Sequence, residues 1–189
     1  MPVIGLLWLA GACAGQPPAT DGDGGGNGGG LATTTDEGAG NACGTPTPAS
    51  AWAMWRMPNP SMDDLPNQAD YTDLGDGTAR DNVTCLVWQR DISGGTYTWA
   101  DADTYCMNLK LAGGGWRLPT RIELVSLVDF SKPSPGPTID TDAFPDTPAE
   151  AFWSSSLVPG WDFAWYVNFY TGATSNELFA LAGRARCVR

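Results

Sequence analysis

The chain has no histidine. That removes the commonest general base, the commonest zinc ligand, and the imidazole on which most serine and cysteine nucleophiles depend. Positive charge is scarce: 10 Lys and Arg face 21 Asp and Glu, for a net charge of −11. An acidic surface repels phosphate backbones, so no nucleic-acid partner is expected. The same field disfavours sulfated glycans and anionic lipid headgroups. The five cysteines contain no C-x-x-C pair and have no histidine to join them, so no metal site is expected. The chain does have 24 Gly, 15 Pro and nine Trp. That mixture predicts a loop-rich domain with an aromatic core, and not a helical bundle.

Four segments follow from the composition. Residues 1–13 read as a lipoprotein signal segment. Pro2 to Ala12 are uncharged and mostly apolar, and small residues precede Cys13, the expected lipid anchor. The run is too short to cross a bilayer, which takes about 20 apolar residues. It also lacks the positive charge that opens a secretory signal. Residues 14–48 form a Gly/Pro/Thr-rich linker that can bury little apolar surface and is expected to be disordered. Its Gly-rich part has a reach of roughly 30 Å. A calcium loop at Asp21 and Asp23 is not favoured: glycines follow too densely, and no bidentate Glu closes it. Residues 49–70, with Trp52 and Trp55, read as a lead-in packed on the domain, and 71–189 as the domain itself.

Within the domain, Gly75-Asp76-Gly77 is a tight-turn signal between extended runs. Cys85, Val87 and Gln89 alternate with Leu86 and Trp88 as in a strand. Asp73, Asp76 and Asp81 read as turn formers in preference to calcium ligands. Thr98 caps a helix whose buried face is Trp99, Ala102, Cys106 and Leu109. Thr120 and Glu123 form a capping box for a second helix with the stripe Leu124, Val125, Leu127 and Val128. Arg117 reads as a loop brace that pairs with a carboxylate. Pro137 to Pro148 is a long acidic loop. Phe152 to Ser156 reads as a strand. Trp165, Val167 and Phe169 form the buried face of another, with Tyr166 and Tyr170 on the open side. A turn at Thr171-Gly172 precedes closing strands at Leu178–Ala182 and Arg184–Arg189. With Cys13 lipidated, Cys43, Cys85, Cys106 and Cys187 make two bridges, for which three pairings exist.

The ordered set GDGTARDNVTCLVWQR, TYTWADADTYC, WRLPTRIELVSLVD, PTIDTDAFPDTP, FWSSS, AWYVNFYTG and RCVR resembles the Lcl C-terminal domain family, named after a Legionella collagen-like adhesin, over roughly Tyr71 to Arg189. The resemblance implies an α+β fold of the C-type-lectin-like kind: two helices, a small twisted antiparallel sheet and long loops, here preceded by a disordered tether. It also implies a Cys106–Cys187 bridge, which leaves Cys43 with Cys85. The family usually has Gly where Cys85 stands. Collagen-like repeats are absent, and so are the calcium-and-sugar motifs of true C-type lectins; Trp161-Asp162 is a faint echo of one.

The expected function is an envelope-anchored, non-catalytic binding or adhesion module for an extracellular glycan, held to the membrane only through its lipid anchor and needing no cofactor. The expected ligand-binding residues are Asp140, Asp142, Asp146, Trp161, Asp162, Asn176 and Glu177, since an exposed Trp can stack on a pyranose while carboxylates and amides bond its hydroxyls. A docking subunit of an envelope protein complex, using Tyr166 and Tyr170, is the alternative. A glycan-active enzyme built on paired carboxylates ranks last.

Overall fold

Two short hairpin systems form two separate sheets, where the sequence had implied one. The computed structural model describes residues 57–60, 67–92 and 94–189. Strands β1 (Tyr71–Asp73), β2 (Thr78–Asp81) and β3 (Val87–Gln89) form the first antiparallel sheet, in that order. Gly75 and Gly77 have φ of 73° and 82°, the left-handed region that a Cβ disfavours. The Asp73 and Asp76 carboxylates accept from the backbone N–H of Gly75 and Thr78, as turn formers do. Strands β4 (Ala151–Leu157), β5 (Phe163–Asn168) and β6 (Ala173–Leu178) form the second antiparallel sheet, with β5 central.

The helices start where the caps put them. Helix α1 (Trp99–Asn108) has Thr98 as N-cap, its side chain accepting from Asp101 N–H. Helix α2 (Arg121–Val125) carries the complete Thr120/Glu123 capping box. It is one turn long, so Leu127 and Val128 lie beyond it, although both are buried.

The helices meet opposite faces of the second sheet. Phe152 and Val167 pack with Leu124, Ile139, Phe144 and Phe169 in the larger core. Their chain neighbours Trp153 and Tyr166 pack with Ala102, Cys106, Trp116 and Leu118 in a second core. Side chains alternate across a strand, so β4 and β5 bury both faces. This corrects the expectation that β5 buries one. Tyr166, expected on an open side, is half-buried with its ring edge-on to Trp153.

Two further expectations fail locally. Cys85 is not in a strand: with φ of 64° it lies in the connection before β3. A positive φ is what glycine accommodates, so the connection holds Cys85 in a conformation that favours glycine. Leu178–Ala182 is not a closing strand either, because Leu178 ends β6 and a turn follows.

The terminal residues join the two sheets without forming a full strand. Arg184 exchanges backbone bonds with Ala151 and Trp153 of β4. Cys187 accepts from Gln89 N–H, and Arg189 exchanges bonds with Val87 of β3. Val188 bonds Arg117 in the WRLPT run. One strand cannot lie flat against partners from two sheets, so the pairing is a series of single bridges. The Cys106–Cys187 disulfide pins this segment to α1. Both cysteines are fully buried. Cys85 is also disulfide-bonded; its expected partner Cys43, like the anchor Cys13, lies outside the described residues.

Arg186 is buried completely. Its guanidinium donates to the carbonyls of Gln89 (2.6 Å) and Arg90 (2.9 Å) and to the Thr147 hydroxyl (2.6 Å). Burial pulls its pKa down to about 9, so it remains a cation at neutral pH. Arg117 braces its loop as expected. It grips Glu123 with both ends of its fork, at 2.8 and 2.6 Å.

Candidate binding face

The seven expected ligand-binding residues divide between opposite ends of β5. The loop carrying Asp140, Asp142 and Asp146 enters beside the C-terminal end, where Thr138 N–H bonds the Phe169 carbonyl. Trp161 and Asp162 lie in the turn before Phe163, the first residue of β5, and Asn176 and Glu177 pair with Trp165 and Ala164 near that end. Phe163 opens the six-residue strand and Phe169 directly follows it, so the two lie about 20 Å apart at the usual rise. A single small ligand cannot contact both groups.

The acidic loop is held by its own backbone. Asp140 accepts from the N–H groups of Asp142 (2.9 Å) and Ala143 (3.0 Å). Asp146 has φ of 57°, a turn conformation that Asp tolerates. The carbonyl of exposed Asp142 accepts from Arg90. The loop also supplies Ile139 and Phe144 to the larger core. Among the described residues, no three His, Cys, Asp or Glu side chains gather to hold a metal ion.

The other end presents an aromatic strip. Trp161 is 70% exposed. Its ring is edge-on to Phe163, with centroids 6.5 Å apart. Phe163 and Trp165 project from the same face of β5, since they alternate with buried Ala164. The Arg121 guanidinium covers Trp165 at 4.3 Å. Across the register, Leu178 stands beside Phe163 and Asn176 beside Trp165. Glu177 pairs with Ala164 and belongs to the reverse face; its carboxylate accepts from Leu178 N–H. Asp162 is exposed next to Trp161, and its carbonyl accepts from Phe179 N–H.

This end therefore unites Trp161 and Asn176 with three residues that sequence reasoning did not select: Arg121, Phe163 and Trp165. The period-two spacing of 161, 163 and 165 was the available signal. Arg121 carried none, because a position after a helix cap does not show what it faces. Away from this face, an enclosed space among Pro58, Asn59, Tyr71, Ser126 and Asp129 is about 50 Å³, well below the several hundred Å³ of a usual small-molecule site. An open depression runs along α1 past Tyr97 and Tyr105, whose rings stack at 5.0 Å.

Three carboxylates have causes for altered acidity, and one of them, Glu150, is held below its ordinary value by its hydrogen bonds from Arg184. Burial tends to raise Glu123, but the hydrogen bonds from Arg117 and Thr120 outweigh it and hold the carboxyl below its ordinary value. Burial raises Asp81, against hydrogen bonds from Thr84 and Val83. Glu123 and Asp81 accept hydrogen bonds that hold a helix cap and a turn.

No helix among the described residues is long and apolar enough to cross a membrane. No curated protein matches the chain. The family model described as the Lcl C-terminal domain matches residues 77–189, from the β1–β2 turn through both sheets to the last residue. With most of its length matched, the chain belongs to the Lcl C-terminal domain family.

Proposed function

We propose that this protein is a non-catalytic binding module of the adhesion type, displayed outside the cytosol and taking an extracellular glycan on the Trp161 end of its second sheet. The observation that carries the reading is the 70% exposure of Trp161, the most exposed Trp among the described residues. An exposed indole beside polar groups suits a pyranose, whose C–H face stacks on the ring while its hydroxyls bond neighbouring amides and carboxylates. Asn176 and Asp162 supply such groups. The net charge of −11 favours an uncharged sugar over a sulfated one.

We assign the domain to the C-type-lectin-like class of folds. Support comes from its two helices, its irregular loops and a bridge between the first helix and the terminal segment. The Cys106–Cys187 bond also supports export, because buried structural disulfides persist in oxidising compartments. Lipidation at Cys13 and a tether over residues 14–48 would then hold the module at the bacterial envelope.

The test is a glycan array probed with the wild type and with the Trp161→Ala, Asp162→Ala double variant. Binding by the wild type, lost in the variant at an unchanged melting temperature, supports the reading. Equal binding by both proteins sinks the site.

A further inference from the structure

Among the described residues, the outer edge of β6 has unpaired backbone groups. In β5, the Phe163 carbonyl accepts from Val158 N–H, and the Trp165 carbonyl accepts from the Ser154 hydroxyl. Odd-numbered residues of β5 therefore turn their backbone groups toward β4. Even-numbered residues turn theirs toward β6 and meet Ala173, Ser175 and Glu177. Thr174, Asn176 and Leu178 must then direct their N–H and C=O outward. The Leu178 groups are taken up by Glu177 Oε1 and Leu181 N–H. The N–H and C=O of Thr174 and Asn176 have no partner among the described residues.

Natural edge strands are blunted by lysine, proline, a bulge or a covering element. In β6, ATSNEL has neither lysine nor proline, and its pairing with β5 runs without a register shift. The surroundings differ on the two faces. One face carries Thr174, Asn176 and the 45% exposed Leu178, and continues into the rings of Phe163 and Trp161. The other carries Ser175 and Glu177. A strand laid along this edge would meet the apolar Leu178 and Phe163 with alternate side chains and the carboxylate of Glu177 with the others. A second copy would bring another net charge of −11, and its β6 has no basic residue to offer. Charge complementarity therefore selects a different partner. We propose that the outer edge of β6 is a strand-addition site for an extended peptide in which apolar and basic residues alternate. Main-chain bonds at Thr174 and Asn176 would hold it, and the two faces would read its sequence. This proposal does not rest on the glycan reading.

The test is fluorescence anisotropy with a short labelled peptide of alternating valine and lysine, titrated with the full chain. Asn176→Pro removes an outward N–H without breaking a bond to β5. It is expected to weaken binding at least about tenfold, while Asn176→Ala, which keeps the backbone donor, binds like the wild type. Glu177→Lys is expected to weaken binding as well, and it carries the test if Asn176→Pro does not fold. A peptide with glutamate for lysine is expected not to bind. Unchanged binding by folded Asn176→Pro, equal binding of the glutamate peptide, or no saturation with the wild type overturns the proposal. So does a wild-type dimer in sedimentation that Asn176→Pro dissolves, because a second copy would then occupy the edge.

Discussion

The guanidinium of Arg186 lies 4.7 Å over the ring of Phe144, fully buried and bonded to carbonyls and a hydroxyl, not to a carboxylate. A cation placed there binds three pieces of chain at once: β3 through Gln89 and Arg90, the acidic loop through Thr147, and the terminal segment that carries it. Replacing Arg186 with alanine leaves three acceptors unpaired and a cavity beside Phe144. The expected cost is about 3–5 kcal/mol. Lysine keeps the charge but not the planar fork and should lose a large part of that stability. Urea denaturation of the two variants checks both values.

The Cys106–Cys187 bond closes a loop with a sequence separation of 81. The chain-entropy treatment assigns such a closure about 4–5 kcal/mol. Cys106→Ala with Cys187→Ala should lower the melting temperature accordingly. Because Cys187 N–H also bonds the Gln89 side chain, the loss should appear as early hydrogen exchange in β3 as well as in α1.

Glu123 gives the fold a defined acid sensitivity. Its folded-state carboxyl lies below the ordinary value of 4.5, with the bonds from Arg117 and Thr120 outweighing burial. A carboxyl depressed by folding stabilises the native state above its unfolded value, and that stability drains away as pH falls through the folded value. Thermal stability should therefore decline as pH drops below about 4.5. Glu123→Gln should be less stable at neutral pH and show a shallower decline. Scanning calorimetry across the acid range measures both.

Two glycines should respond very differently to alanine. A Cβ at Gly136 would stand 2.1 Å from the Phe169 carbonyl oxygen, so the loop and the end of β5 cannot both keep their places. Gly75→Ala meets nothing within 4 Å and suffers only its positive φ. Expected costs are about 3 kcal/mol or more for Gly136→Ala and about 1 kcal/mol for Gly75→Ala. Equilibrium unfolding of the pair tests the ordering.

Local chemistry made parts of this architecture legible. The caps at Thr98 and Thr120, the turn at Gly75-Asp76-Gly77 and the brace at Arg117 depend on residues near one another in the chain. Burial on β5 was misjudged because alternation tells which side chains share a face, not how many helices cover the strand. The terminal segment was misread as a strand because its partners lie in two sheets remote in sequence. The candidate site divided for the same reason: Asp140 and Trp161 are near in number but flank opposite ends of β5. Arg121 joined it only through the fold, which sets the first turn of α2 over Trp165.

Residues 184–189 close the domain by joining both sheets while pinned covalently to α1. Peptide mapping of the unreduced protein, produced in an oxidising compartment, tests this. A cross-linked pair of peptides containing Cys106 and Cys187 is expected in near-full yield. Free thiols at both positions, or either cysteine joined to Cys85, would contradict it.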